Sequence, residues 1–166
     1  MHMASRFIPR VLIFRPHNVY GPDMGFQHVI PQFVEKAMRI TKKGQSPIPF
    51  PIQGNGQQTR SFIFIDDFVE GLMTIMNEGE SSEIYHIGSE EEISMRDLAF
   101  KVNRILGYDI QLVSEPEAKG GTLRRLPDIS KIRALGFKPK KNLDEGLRVS
   151  VDWYRRYFEE NGVLPL

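Results

Sequence analysis

Arg60 stands at the mouth of an apolar run in the stretch GNGQQTRSFIFIDDFVEGL, Gly54 to Leu72. Its guanidinium suits an anion, because a planar fork of donors matches phosphate or carboxylate geometry. A structural ion pair is the plain alternative. Two other clusters have chemistry of the same kind. In RPHNVYGP, Arg15 to Pro22, Asn18 can donate and accept hydrogen bonds, and Tyr20 can pack on a ring or donate through its hydroxyl. The alternative there is a simple turn, with Asn18 bonding its own backbone and Gly21 supplying an unusual dihedral. In LRRLPDISK, Leu123 to Lys131, Arg125 can bind phosphate, and Asp128 can accept from a sugar hydroxyl or cap a helix. Arg124 reads as a solvated charge.

Several familiar sites are excluded. The Gly54-to-Gly56 pair has Thr59 where a dinucleotide fingerprint wants a third glycine, and a strand rather than a helix follows. No Gly-Lys-Ser/Thr follows it either, so it is not a P-loop. None of Tyr20, Tyr85, Tyr108, Tyr154 and Tyr157 has a lysine four positions on. His28 and His86 lie in different elements without metal-ligand spacing, so no metal is expected. No Ser-His-Asp set is suggested by local context.

The elements that must hold these residues follow from periodicity. Val11 to Phe14 reads as a buried strand ended by Arg15 and Pro16. His28 to Ile40 has apolar residues at helical spacing, with Pro31 tolerated only in the first turn, and Lys42, Lys43 and Gly44 suit its end. SPIPFPI, with a proline at every second position, fits an edge strand. Phe62 to Ile65 is a buried strand. Asp66 and Asp67 are N-cap candidates for a helix whose stripe is Phe68, Val69, Leu72, Met73 and Met76. Ile84 to Ile87 is a short strand closed by Gly88. Ser94 with Asp97 resembles a capping box for a helix to Leu106, stopped by Gly107. Ile110 to Val113 is a strand, and SEPEAKGGTLRRLP a polar loop. Asp128 caps a short helix to Leu135, ended by Gly136, and Asn142 caps the last helix, Leu143 to about Glu160, which has Leu147, Val151, Trp153 and Tyr154 mostly on one face. Alternating strands and helices argue for an α/β arrangement with some parallel pairing.

A chain of 166 residues, 40% hydrophobic and 26% charged with net charge +1, suits one folded unit. It makes no global case for nucleic acid or membrane surfaces. With no cysteine there are no disulfides or thiolate sites. No apolar run has the length of a membrane span and the start lacks the long apolar core of a signal peptide, so a cytoplasmic protein is expected. Met1 to Ser5 is expected to be a cloning scar and disordered start, and residues 6–166 a single lobe.

Taken in order, RPHNVYGP, VIPQFVEKA, the Gly54 to Leu72 segment, YHIG, RRLPDISKIRALGFKP and LDEGL resemble the C-terminal half of the NAD-dependent epimerase/dehydratase family. These are the extended short-chain dehydrogenases that act on nucleotide sugars. The resemblance runs from about Val11 to Tyr157. It implies the substrate-binding portion of that fold, whose few sheet strands are completed by an N-terminal Rossmann half carrying the NAD loop and the catalytic Tyr-x-x-x-Lys. By that resemblance Asn18 contacts the substrate diphosphate near the nicotinamide end, and Val29 and Ile30 begin a helix whose backbone approaches the nucleotide. Arg60 grips the diphosphate, Arg125 is a second arginine beside it, and Asp128 is an acid near the ribose. The implied cofactor is NAD, no catalytic residue lies in this chain, and the chain alone is expected to be inactive. The implied partners are a nucleotide diphosphate sugar and either the N-terminal half or a second copy. A non-catalytic nucleotide-binding or protein-interaction module derived from the family is the alternative. PIPFPIQGNG is longer than the commoner form of its block, so no base contact is assigned there.

Overall fold

The expected alternation of strands and helices appears in the computed structural model, which describes residues 9–41, 46–117 and 120–162. In order these are β1 (Ile13–Pro16), β2 (Val19–Tyr20), α1 (Val29–Thr41), β3 (Ile48–Gln53), β4 (Thr59–Ser61), β5 (Ile63–Phe64), α2 (Ile65–Glu78), β6 (Ile84–Ile87), β7 (Glu92–Ser94), α3 (Met95–Ile105), β8 (Ile110–Glu115), β9 (Arg124–Arg125), α4 (Ser130–Ala134) and α5 (Leu143–Asn161). β1 pairs with β6, β2 with β5, β3 with β8 and β4 with β9, all parallel, while β7 joins the other edge of β4 antiparallel. The expectations for Met1 to Ser5 and for Lys42, Lys43 and Gly44 lie outside the described residues.

Two cores hold these pieces together. The larger gathers Ile30, Val34, Phe50, Leu98, Val102, Leu147, Val151 and Tyr154 from α1, β3, α3 and α5. The smaller gathers Ile75, Tyr85, Ile87, Ile129, Ile132 and Phe137 around β6, α2 and α4. Each fully buried side chain of this size contributes roughly 1.5–3 kcal/mol. The strand period of two places β5 between them, since Phe62 and Phe64 enter the larger core and Ile63 the smaller. The same alternation governs β3, where Ile48, Phe50 and Ile52 are buried and Pro49 is exposed. Among the described residues β3 pairs only with β8, so its prolines sit on the edge position their missing N–H groups require.

Capping chemistry places the helix starts. Ser94 Oγ accepts from the Asp97 amide at 3.0 Å, and Asn142 with Glu145 forms a reciprocal capping box at the start of α5. Gly107 closes α3 with φ +79°, a conformation that glycine adopts without steric cost.

Several local expectations are corrected. β1 runs through Arg15 and Pro16, and Phe14, Arg15 and Pro16 are exposed, because only one edge of this strand is paired among the described residues. The expected strand Phe62 to Ile65 shortens to β5, with Ile65 already helical, and a separate strand before it, β4, contains Arg60. Asp66 and Asp67 do not cap α2. Its N-cap is Phe64, and both aspartates lie in the first turn, where they favour the helix dipole. The apolar stripe of α2 divides. Val69, Met73 and Met76 are exposed, while Asp67, Gly71 and Ile75 form the buried face. Gly71 permits that rotation, since a Cβ there would lie 2.9 Å from Ile87 Cγ2. The expected polar loop after Val113 is partly ladder, because β8 continues to Glu115 and β9 forms beside β4. Asp128 is not an N-cap either. The cap is Ile129, and Asp128 Oδ1 accepts from the Ser130 amide at 2.8 Å.

Candidate functional site

Register brings the two arginines together. In the parallel pair β4 and β9, Arg60 lies opposite Arg125 and Thr59 opposite Arg124, although the residues are far apart in sequence. Successive side chains in a strand point to opposite faces, so Arg60 and Arg125 share one face while Arg124 shares the other with Thr59.

The second face fastens the first. The Arg124 guanidinium holds Glu92 of β7 with two bonds of 2.8 and 2.9 Å, and the Thr59 hydroxyl donates to the same carboxylate. Arg124, and then the Thr59 hydroxyl, hold the Glu92 carboxyl down at about 2. Arg124, expected to be merely solvated, thus clamps a two-residue strand onto β4 and fixes where Arg125 sits. Nothing local in the sequence marks this, because the clamp depends on β7 crossing beside β4.

Arg60 and Arg125 are spent differently. Among the described residues neither makes an ion pair with a carboxylate. Arg60 donates to the carbonyls of Thr59 at 2.6 Å and Leu123 at 3.5 Å, and Arg125 reaches Thr122 Oγ1 at 3.4 Å. Partial burial, and then the like charge of Arg125, push the Arg60 guanidinium below its ordinary range. It stays protonated nonetheless. Arg60 lines a cleft of about 100 Å³ with Gln53, Gln58, Glu117, Thr122 and Leu123. Among the described residues the cleft thus holds one cation, Arg60, with the Glu117 carboxylate and the amide and hydroxyl groups of Gln53, Gln58 and Thr122, and exposed Arg125 stands next to Arg60 in register. Two neighbouring guanidinium groups suit a multiply charged anion.

Asn18 is tied to the strand that carries Arg60. Its Nδ2 donates to the Ser61 carbonyl at 2.7 Å, and its own carbonyl accepts from the Ile63 amide at 3.3 Å. The unusual dihedral of this loop is that of Asn18, φ +44°, and not of Gly21 as the simple-turn alternative has it. Asparagine is among the few side chains that tolerate that region. Gly21 is required for a different reason: a Cβ there would lie 2.7 Å from Ile65 Cγ2.

The other sequence candidates lie elsewhere. Val29 is the first residue of α1, half-buried, and the Ile30 side chain is wholly within the larger core, which leaves the helix backbone as what they can offer. Asp128 is exposed, and its carboxyl is held below the usual range by the backbone and hydroxyl of Ser130. The charge that it faces is His86. A feature that sequence reasoning missed adjoins it: His17 Nε2 lies 2.6 Å from His86 Nδ1.

The glycine pair of Gly54 and Gly56 forms a turn between β3 and β4, with φ +60° and +73°. It leads into a strand and so offers no helix N-terminus to a dinucleotide.

Comparison with known proteins gives a consistent result. The sequence profile of the NAD dependent epimerase/dehydratase family matches residues 3–88, about half of the chain. The dTDP-D-glucose 4,6-dehydratase of Mus musculus is 33% identical over 162 residues, covering 89% of this chain and 42% of the relative. A probable GDP-L-fucose synthase of Oryza sativa subsp. japonica is 32% identical over 143 residues, covering 84% and 43%. Among solved structures, the UDP-glucose 4-epimerase of Thermotoga maritima with UDP-glucose superposes with TM-score 0.79 at 28% identity, covering 93% of this chain and 49% of that one. The dTDP-glucose 4,6-dehydratase of Streptomyces venezuelae with NAD and TYD bound gives 0.77 at 31%, covering 95% and 48%. The chain spans less than half the length of these curated relatives.

Proposed function

Because the chain belongs to the NAD-dependent epimerase/dehydratase family, we propose that it is the substrate-binding part of a nucleotide-sugar epimerase or dehydratase. In this reading Arg60 and Arg125 grip the nucleotide diphosphate, and Asn18 donates to it from the loop beside them. Val29 and Ile30 bring the backbone of α1 toward the nucleotide, and Asp128 accepts from the ribose. The observation that carries the reading is the in-register pair Arg60 and Arg125, two neighbouring cations of which neither is in an ion pair with a carboxylate among the described residues.

Holding two like charges together costs free energy in the empty protein, and a bound dianion returns it. Each charge-assisted hydrogen bond contributes about 1.5–3 kcal/mol. Spent on the nucleotide, remote from the reacting carbon, this binding energy orients the sugar.

NAD would supply the hydride acceptor in the complete protein. The described residues do not fit its dinucleotide fingerprint, so no step through it is assigned to this chain, and the chain by itself is expected to bind without turning over. The exposed apolar side chains of Phe14, Ile65, Val69, Met73 and Met76, with the edge of β1 that is unpaired among the described residues, support a further sheet-bearing part docking there.

Calorimetry of the chain with UDP, UDP-glucose and UMP tests the reading. Binding of both diphosphates in clear preference to UMP is expected. Equal binding of all three, or of none by a chain that unfolds cooperatively, would refute it.

A further inference from the structure

At the carboxyl ends of β1 and β6 lies a pair of imidazoles for which the diphosphate grip has no use. The strands are parallel, with Arg15 opposite His86, and the ladder continues one residue further where the His17 amide donates to the Ile87 carbonyl at 3.0 Å. This register sets the His17 and His86 rings end to end, with centroids 4.8 Å apart, planes 27° from parallel and His17 Nε2 2.6 Å from His86 Nδ1. Gly88 provides the room, since a Cβ there would lie 3.2 Å from His17 Cβ and 2.7 Å from Pro127 Cγ.

At that separation one ring nitrogen must donate and the other accept. The contact survives a first added proton, because one nitrogen still has a lone pair. Protonation of both rings sets N–H against N–H and brings two positive charges together. Arg15 on β1 adds a third positive charge, and Asp128, ahead of α4, is the carboxylate facing His86. Burial, then the fields of His86 and Arg15, hold the His17 imidazole below its ordinary range.

The position of the pair gives it a consequence. His17 precedes Asn18, where the chain leaves the sheet of β1 and β6, turns through φ +44° and enters the sheet of β2 and β5. On the far side of that turn the Asn18 amide is bonded to Ser61, next to Arg60. On the near side the backbone bond of the His17 amide to Ile87 holds the chain, and the imidazole contact is the side-chain anchor beside it.

We propose that His17 and His86 are positioning residues: as a hydrogen-bonded imidazole pair they lock the crossover that carries Asn18 to the strand of Arg60, and they release it when both rings are protonated. The consequence for ligand rests on the proposed diphosphate site, whereas the lock is a property of this chain.

Nuclear magnetic resonance of the two imidazoles and the Asn18 side-chain amide, followed from about pH 8 to about pH 5 across the ordinary histidine range, tests the lock without ligand. The expected result is two coupled steps, the lower one below about 6.5, with the Asn18 amide signal moving in that lower step. In His86→Gln the amide still bonds to His17 but takes no proton, and the Asn18 signal stays flat. His17→Gln serves the same purpose should the first variant fail to fold. Independent titration of the two rings near 6.5, a flat Asn18 signal in the unaltered chain, or an unchanged Asn18 step in the variant would each overturn the proposal. UDP-glucose, whose diphosphate diester keeps its charge over this range, then reads the consequence: its affinity falls about 5-fold across the lower step in the unaltered chain and less than about 2-fold in His86→Gln. Equal falls in both overturn the coupling. Absence of UDP-glucose binding at the upper pH refutes the diphosphate site and leaves the resonance result to decide the lock.

Discussion

Replacing Arg60 by alanine is expected to weaken UDP-glucose binding by about 10- to 150-fold, the equivalent of one charge-assisted hydrogen bond at roughly 1.5–3 kcal/mol. The half-buried setting of Arg60 in its cleft favours the upper part of that range over Arg125, which is exposed. For Arg125→Ala a loss of about 3- to 10-fold is expected, because solvent screens an exposed charge. The two losses should not add. Each single replacement also abolishes the repulsion between the guanidinium groups that a bound dianion would relieve, so the double variant counts that relief once and loses less than the sum. Folding should be little affected. Arg60 gives up bonds to two backbone carbonyls, at 2.6 and 3.5 Å, while Arg125 loses a like-charged neighbour, and the net change in stability should stay within about 1 kcal/mol. Calorimetry with UDP-glucose measures the affinity, and urea unfolding of the same samples measures the stability. Equal affinity in the unaltered chain and Arg60→Ala, with superimposable unfolding curves, would remove Arg60 from the site.

Three further outcomes follow from the packing and the ion pairs. Gly146→Ala should destabilise the chain by about 3 kcal/mol or prevent folding, since the new Cβ would lie 2.0 Å from Tyr20 Oη and 2.8 Å from Phe64 Cδ2; urea unfolding within 0.5 kcal/mol of the unaltered chain, roughly the neutral range, would contradict this. Asn142→Ala should cost about 1 kcal/mol through loss of the α5 capping box, seen as a lower thermal midpoint. Glu92 should titrate at about 2 in a carbon-detected carboxyl titration, against 4.5 for the free group. Because the folded value is the lower one, the stabilisation is present above about 4.5 and is lost as pH falls through about 2. Arg124→Ala should raise the carboxyl toward the ordinary range, and the Thr59 hydroxyl bond should keep it somewhat below.

Much of the architecture could be read from local pattern. Ser94, Asn142, Gly107 and the proline-studded β3 each carry their structural instruction within a few residues, because caps, turn dihedrals and missing N–H groups act locally. The errors arose where a partner decided the outcome. α2 looks apolar along Val69, Met73 and Met76, yet its buried face is Asp67, Gly71 and Ile75, since Gly71 can approach Ile87 and Phe137 most closely. β1 looks buried by composition and is exposed because one of its edges is unpaired among the described residues.

For the candidate site, residue types and their order by themselves determined that Arg60, Arg125 and Asn18 deserved attention and which family they resemble. Whether those groups meet depends on strand register, a property of pairings between distant segments. Only the tertiary structure decided that Arg60 stands beside Arg125, that Glu92 consumes the charge of Arg124 instead, and that His17 lies against His86. An arginine has the same chemistry free or paired, and its sequence neighbours do not determine which; the carboxylate that folding brings within reach does.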